Sequence, residues 1–219
     1  MSTPGRVLLR WWLAALASVA VFLGARRRAL ELYAEIVALD PDNVDARATL
    51  GNLLADQGEH AAAIEQFRRL LQAHPEHADS WFNLGYLHER CEQLDEAERA
   101  FRRAAELNPQ HDRAWYGLAL ALIRLDRLPE AIDALKKNIT LQPFSPYGYY
   151  QLAMTHHHLG DSGDAWRVHE QLKGFEPRYA ATLKRDLENT PSRARVQPAP
   201  GGGDPTGHID TKEVLGAST

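Results

Sequence analysis

Apolar positions recur along most of the chain at helical spacing rather than in the alternation of a half-buried strand. In DSWFNLGYLHERCEQLDEAERAFRRAAELNP, residues 79–109, Trp81, Leu84, Gly85 and His88 share one face of a first helix, and Ala97, Phe101 and Ala104 share one face of a second. The arrangement is periodic. Pro41, Pro75, Pro109, Pro143 and Pro177 stand 34 residues apart. Ala29, Ala63, Ala97, Ala131 and Ala165 each precede a proline by 12 residues. Leu16, Leu50, Leu84, Leu118 and Leu152 precede it by 25, each followed by Gly or Ala. This pattern predicts two antiparallel helices per repeat. The small residues let the helices approach closely, and an aromatic (Tyr33, Phe67, Phe101) fills the space between repeats. The proline ends the second helix because it has no N–H to donate. Gln57-Gly58-Glu59 and Leu159-Gly160-Asp161 read as turns between helices.

These residues resemble the tetratricopeptide repeat family over about residues 10–179, in five units starting near Arg10, Val44, Ala78, Asp112 and Pro146. The second to fourth units match best. The fifth departs with His169 at a place usually bulky and apolar, and the second has Arg47 where Trp81, Trp115 and Tyr149 stand in its successors. The resemblance implies an all-α fold, a right-handed superhelix of helix pairs whose concave groove binds other proteins. A stack of repeats needs a polar capping helix at its end, and Ala180–Glu188 reads as that cap.

Residues 11–24, WWLAALASVAVFLG, carry no charge, and the apolar run extends over residues 7–25 with only Arg10 interrupting it. Its length is close to the ~20 residues of a membrane-spanning helix. A cleaved export signal and the first helix of the first repeat are the competing readings. The matching helix of the second repeat keeps a wet side with Asp45, Arg47, Thr49, Asn52 and Asp56, whereas 11–24 is apolar all round, which favours an anchor. The expected organisation is a hydrophobic N-terminal anchor over 1–28, a repeat domain over 29–189 and a disordered tail over 190–219. Arg6 and Arg10 before residues 11–24 and three arginines after them point to a single-pass protein of a bacterial inner membrane with cytoplasmic repeats; a periplasmic repeat domain is the alternative.

Composition narrows the chemistry. With 25 Lys+Arg against 29 Asp+Glu, the formal charge of −4 gives no electrostatic case for nucleic-acid binding. One cysteine excludes an internal disulfide and a zinc site of several thiolates. His156, His157 and His158 are consecutive, so they point about 100° apart on a helix and cannot chelate one metal together. His156 reads as a buried structural side chain, and His74, His77 and His111 as solvated turn residues. Gly201-Gly202-Gly203 has no strand before it or helix after it, and no nucleophile motif occurs. No metal, cofactor or catalytic residue is expected. The tail holds one short candidate motif, HIDTKEVLG.

In the architecture that the resemblance implies, the first-helix positions not packed on the second helix face the groove. They grade from polar residues in the second unit, Asp45, Asn52 and Asp56, to a wall of aromatic and apolar side chains in later ones. The expected partner-binding residues are Phe82, Tyr86, Tyr116, Tyr147, Tyr150 and Met154 as apolar anchors, with Asn52, Asn83 and Arg113 as polar contacts. Asn52, Asn83 and Arg113 match three places of a chaperone-tail clamp known in the family, but Ala48 and Gly117 stand where its other cations belong. A carboxylate would lose those charge-assisted bonds, and this specificity is not expected. The function that follows is a non-catalytic scaffold holding a protein or peptide, in envelope or complex assembly. A homo-oligomeric structural scaffold and a periplasmic module of the cytochrome-biogenesis type are the alternatives.

Overall fold

The computed structural model describes residues 4–191, with side chains from Leu8 onward. The predicted tail and its HIDTKEVLG motif lie outside the described residues, save Thr190 and Pro191. Among the described residues there are eleven helices and no strand: α1 (Pro4–Phe22), α2 (Arg26–Leu39), α3 (Val44–Asp56), α4 (His60–Ala73), α5 (Ala78–Arg90), α6 (Leu94–Leu107), α7 (Asp112–Arg124), α8 (Leu128–Leu141), α9 (Pro146–Leu159), α10 (Ser162–Lys173) and α11 (Pro177–Asn189). The chain forms two compact units that divide after Leu87, within α5. In the first, α1 packs on α2, α2 on α3 and α3 on α4. In the second, α6 packs on α7, α7 on α8, α8 on α9 and α9 on α10, and α11 closes on both α9 and α10.

The 34-residue period has a separate physical cause at each of its marked positions. Ala29, Ala63, Ala97, Ala131 and Ala165 are each 0% exposed, so a larger side chain at any of them has no room. A Cβ on Gly51 would lie 2.8 Å from the Phe67 ring, so this glycine admits the aromatic against bare backbone; Gly117, outside the periodic small positions, does the same for Phe101 at 2.7 Å. The turn inside each repeat needs a left-handed residue. Gly24, Gly58, Glu92, Asp126 and Gly160, 34 residues apart, have φ of 69°, 81°, 59°, 59° and 95°. Glycine does this without a Cβ penalty; Glu92 and Asp126 adopt it at some cost.

The prolines do more than end helices. Trp81 Nε1 donates to the Pro75 carbonyl at 2.8 Å, Trp115 Nε1 to Pro109 at 3.0 Å and Tyr149 Oη to Pro143 at 3.1 Å. Arg47 Nη2 donates to the Pro41 carbonyl at 2.7 Å. The substitution that set the second 34-residue repeat apart in sequence, Arg47, therefore keeps the same hydrogen bond through a different donor.

The expectation of a membrane span is overturned. Among the described residues no helix is long and apolar enough to cross a membrane. Of the apolar run over 7–25, only residues up to Phe22 are helical, because Gly24 turns the chain into α2. Residues 7–22 rise about 24 Å at 1.5 Å each, short of the ~30 Å hydrocarbon core. Polar and small groups along α1 are used internally instead. Arg10 pairs with Asp40, Ser18 reaches the Tyr33 hydroxyl, and Leu13, Ala17 and Ala20 are buried in one core with Ala29, Leu32, Ile36, Ala46 and Leu53. The single-pass inner-membrane placement, with its spanning segment at 7–25, is therefore withdrawn, and α1 is the first helix of the first pair.

Candidate functional site

The residues expected to face a ligand lie on α3 and α5 in the first unit and on α7 and α9 in the second. In the first unit Asn52, Asn83 and Tyr86 are half-buried, whereas Phe82 is buried at 3% exposure. Asp45 and Asp79 are exposed in this unit.

In the second unit tyrosines converge. The Tyr147 and Tyr179 rings meet edge-on with centroids 5.7 Å apart, and Tyr150 meets Tyr179 at 6.3 Å. Such edge-to-face pairs add roughly 0.5–1.5 kcal/mol beyond area burial. Tyr150 Oη donates to Asp186 Oδ2 at 2.8 Å. Tyr116, on α7, lies among Gln151 and Tyr147 of α9 and Tyr179 of α11. Burial pushes the Tyr116 hydroxyl well above the usual phenol range. It does the same to Tyr150, and the Asp186 carboxylate adds to that shift, since a nearby negative charge disfavours phenolate.

Tyr116 and Tyr150 are only 6% and 4% exposed, and Met154 is 5% exposed. Tyr147 and Arg113 remain half-buried. Four of the nine expected contact residues, Phe82, Tyr116, Tyr150 and Met154, are thus buried rather than open. For Tyr116 and Tyr150 the cover comes from the next first-position helices, onto which their long side chains lean. Tyr179 and Asp186 were not singled out by sequence reasoning. Tyr179 lies 34 residues beyond Ser145, a position that holds the helix N-cap in the earlier repeats, so the period gave no signal for a tyrosine there; α11 begins at Pro177, three residues ahead of the register of α9.

Two histidines expected in solvated turns have structural work. His77 Nδ1 accepts from Ser80 N at 3.2 Å, and His111 Nδ1 from Ala114 N at 3.3 Å. Both therefore cap helix N-termini, as Asn43 does for Ala46 N at 2.9 Å in the same register. His111 is buried at 7% exposure.

The fold of paired helices is similar to that of known proteins. The family model described as the cilia and flagella-associated protein 70 C-terminal domain, a tetratricopeptide-type domain, matches residues 1–142. The chain belongs to this family. Among solved structures this family member is similar to the MamA protein, with a TM-score of 0.72 and 22% identity over 78% of this chain and 94% of that one. It is also similar to YrrB, described as a tetratricopeptide protein with an unusual peptide-binding site, with a TM-score of 0.69 and 22% identity over 79% and 90%. MamA from Desulfovibrio magneticus RS-1 gives a TM-score of 0.71 and 20% identity over 77% and 95%. Identities this low speak for the fold alone. Among curated proteins none matches the chain in sequence.

Proposed function

We propose that this repeat protein is a non-catalytic scaffold that binds a protein segment or peptide on the faces of its first-position helices. The observation that carries the proposal lies in the second unit: Tyr147 stays half-buried where it meets Tyr179 beside buried Tyr116, and Arg113, one repeat earlier in the same register, is half-buried too. A rigid aromatic held by packed neighbours is the kind of anchor that dominates binding energy at interfaces, and arginine is the other side chain most often found at such hot spots. In the first unit we assign half-buried Asn52, Asn83 and Tyr86 to hydrogen bonding along a ligand's backbone, with buried Phe82 in the register of Tyr116 and Tyr150. The peptide-binding site named for YrrB supports the reading by analogy of fold. Random peptides displayed on phage and selected on the full chain test it. A family of peptides with a shared motif should emerge and bind Tyr147→Ala with Arg113→Ala at least about ten-fold more weakly, the loss of ~1.4 kcal/mol or more expected of a hot spot. No enrichment, or equal binding to the double variant, overturns the proposal.

A second reading, self-association, has its own observation. Leu8, Trp11, Trp12, Phe22 and Leu23 of α1 and its following turn are 66–76% exposed, an apolar outer face on the first helix of the stack. Light scattering over a concentration series separates the two readings. A monomer at all concentrations removes self-association and leaves peptide binding standing.

A further inference from the structure

Away from that face, the turn between α9 and α10 gathers three side chains of metal-ligand type. His156, Asp161 and Asp164 each place one ligand atom within 4.8 Å of the other two. His156 is only 8% exposed. Its Nδ1 is sealed from solvent without a hydrogen-bond partner and lies 3.8 Å from Asp161 Oδ2. A buried imidazole nitrogen left unbonded is costly, and native interiors almost always give such a group a partner. Asp161 stands at the N-cap of α10 yet makes no side-chain capping bond, so helix capping does not account for its carboxylate. Asp164 Oδ1, also shut from solvent, is met at 2.6 Å by Arg167 Nη2, whose side chain is 79% exposed. An ion pair to so exposed an arginine is weak and easily exchanged. A cleft of ≈ 420 Å³ lined by Lys136, Thr140, His156, Asp164, Arg167 and Gln171 borders the cluster.

We propose that His156, Asp161 and Asp164 form a site for one divalent first-row transition-metal ion of the zinc class, with water completing its coordination. One imidazole nitrogen and two carboxylates make a borderline donor set. It suits zinc, cobalt or nickel, whereas calcium and magnesium take oxygen ligands alone. The two carboxylates neutralise the ion's charge. Metal–ligand distances of ~2.0–2.2 Å place donors some 3.4 Å apart in a tetrahedral site, so the cluster closes by about an ångström. Asp161, on the turn with its side chain 53% exposed, is free to make that movement. The ion sits at the C-terminal end of α9, whose last carbonyls favour a cation, and at the N-terminal end of α10, which does not; the aspartates offset the second. Bound there, the metal staples the last helical pair across its turn.

The test uses the untagged full chain, stripped with chelator, titrated with Zn²⁺ by calorimetry and with Co²⁺ by visible absorption. One equivalent should bind, with tetrahedral cobalt bands, and should raise the melting temperature. Because His156→Ala removes a buried side chain, the decisive variant is Asp161→Asn with Asp164→Asn, folded by circular dichroism. It should lose at least about ten-fold in affinity, the lower end of what ligand-shell changes cost, and its melting should no longer respond to Zn²⁺. His158→Ala and His74→Ala should bind as the parent does. Unchanged binding by the double aspartate variant overturns the site, as does binding abolished only by removing other histidines or no one-to-one binding at all.

Discussion

The first and last described helices end their units in opposite ways. Helix α11 buries Ala180, Leu183 and Leu187 and turns Lys184, Arg185 and Glu188 outward. Helix α1 buries Leu13, Ala17 and Ala20 in the same spacing but leaves Trp11, Trp12, Val19 and Phe22 exposed on its other side. Both are bound to the neighbouring helix by a periodic apolar stripe, so both are structural members of their stacks. Only α11 carries the polar outer face that a terminal repeat needs. Packing thus explains one side of α1, and the second side is available to something else.

The difference can be broken most severely at the buried stripes. Leu183→Ala, at a fully buried position, should cost about 2–5 kcal/mol in denaturant unfolding, and Leu13→Ala should fall near the lower end because that site keeps some exposure. If Leu13→Ala costs nothing, α1 is not held as a repeat helix and the comparison fails. Next comes the hydrogen bond that ties α11 to α9. Tyr150→Phe should cost about 1.5–3 kcal/mol, the range for bonds to a charged acceptor, and should change the alkaline limb of stability. Tyr150 has its pKa raised on folding. Its contribution is therefore fully present below the unfolded value of ~10 and is lost as pH rises above it. Melting temperature followed from pH 8 to 11 should fall less steeply in Tyr150→Phe than in the parent.

Smaller effects sharpen the comparison. Gly24→Ala and Gly160→Ala both force an L-residue to positive φ with open space around the new Cβ, so each should cost about 1–2 kcal/mol. Equal costs by thermal melting would show that the turns are alike and that only the outer surfaces of the end helices differ. Trp11→Lys with Phe22→Lys should shift stability by no more than about 0.5 kcal/mol, as expected of exposed sites. If the bare face of α1 self-associates, the same change should convert a concentration-dependent assembly to a monomer by light scattering.

What the sequence determined by itself was the repeat. Period, small-residue positions and terminating prolines are local and additive constraints, set by van der Waals volume and the missing proline N–H. The structure returns them as five fully buried alanines and a left-handed residue every 34 positions. What tertiary structure decided was which side chains are left over. Hydropathy along residues 7–25 cannot distinguish lipid from a neighbouring helix, since both remove apolar surface from water; the turn at Gly24 and the packing of Leu13, Ala17 and Ala20 settle that difference. Helical periodicity likewise put Tyr116 and Tyr150 on a face. Only the arrival of Tyr179 and Asp186 from α11 buries Tyr150, a contact 36 residues away in sequence. The histidines show the same limit. Consecutive positions rule out joint chelation, but the turn after α9 folds Asp161 and Asp164 back onto His156 alone, because the chain reverses direction there and brings the start of one helix against the end of the one before it.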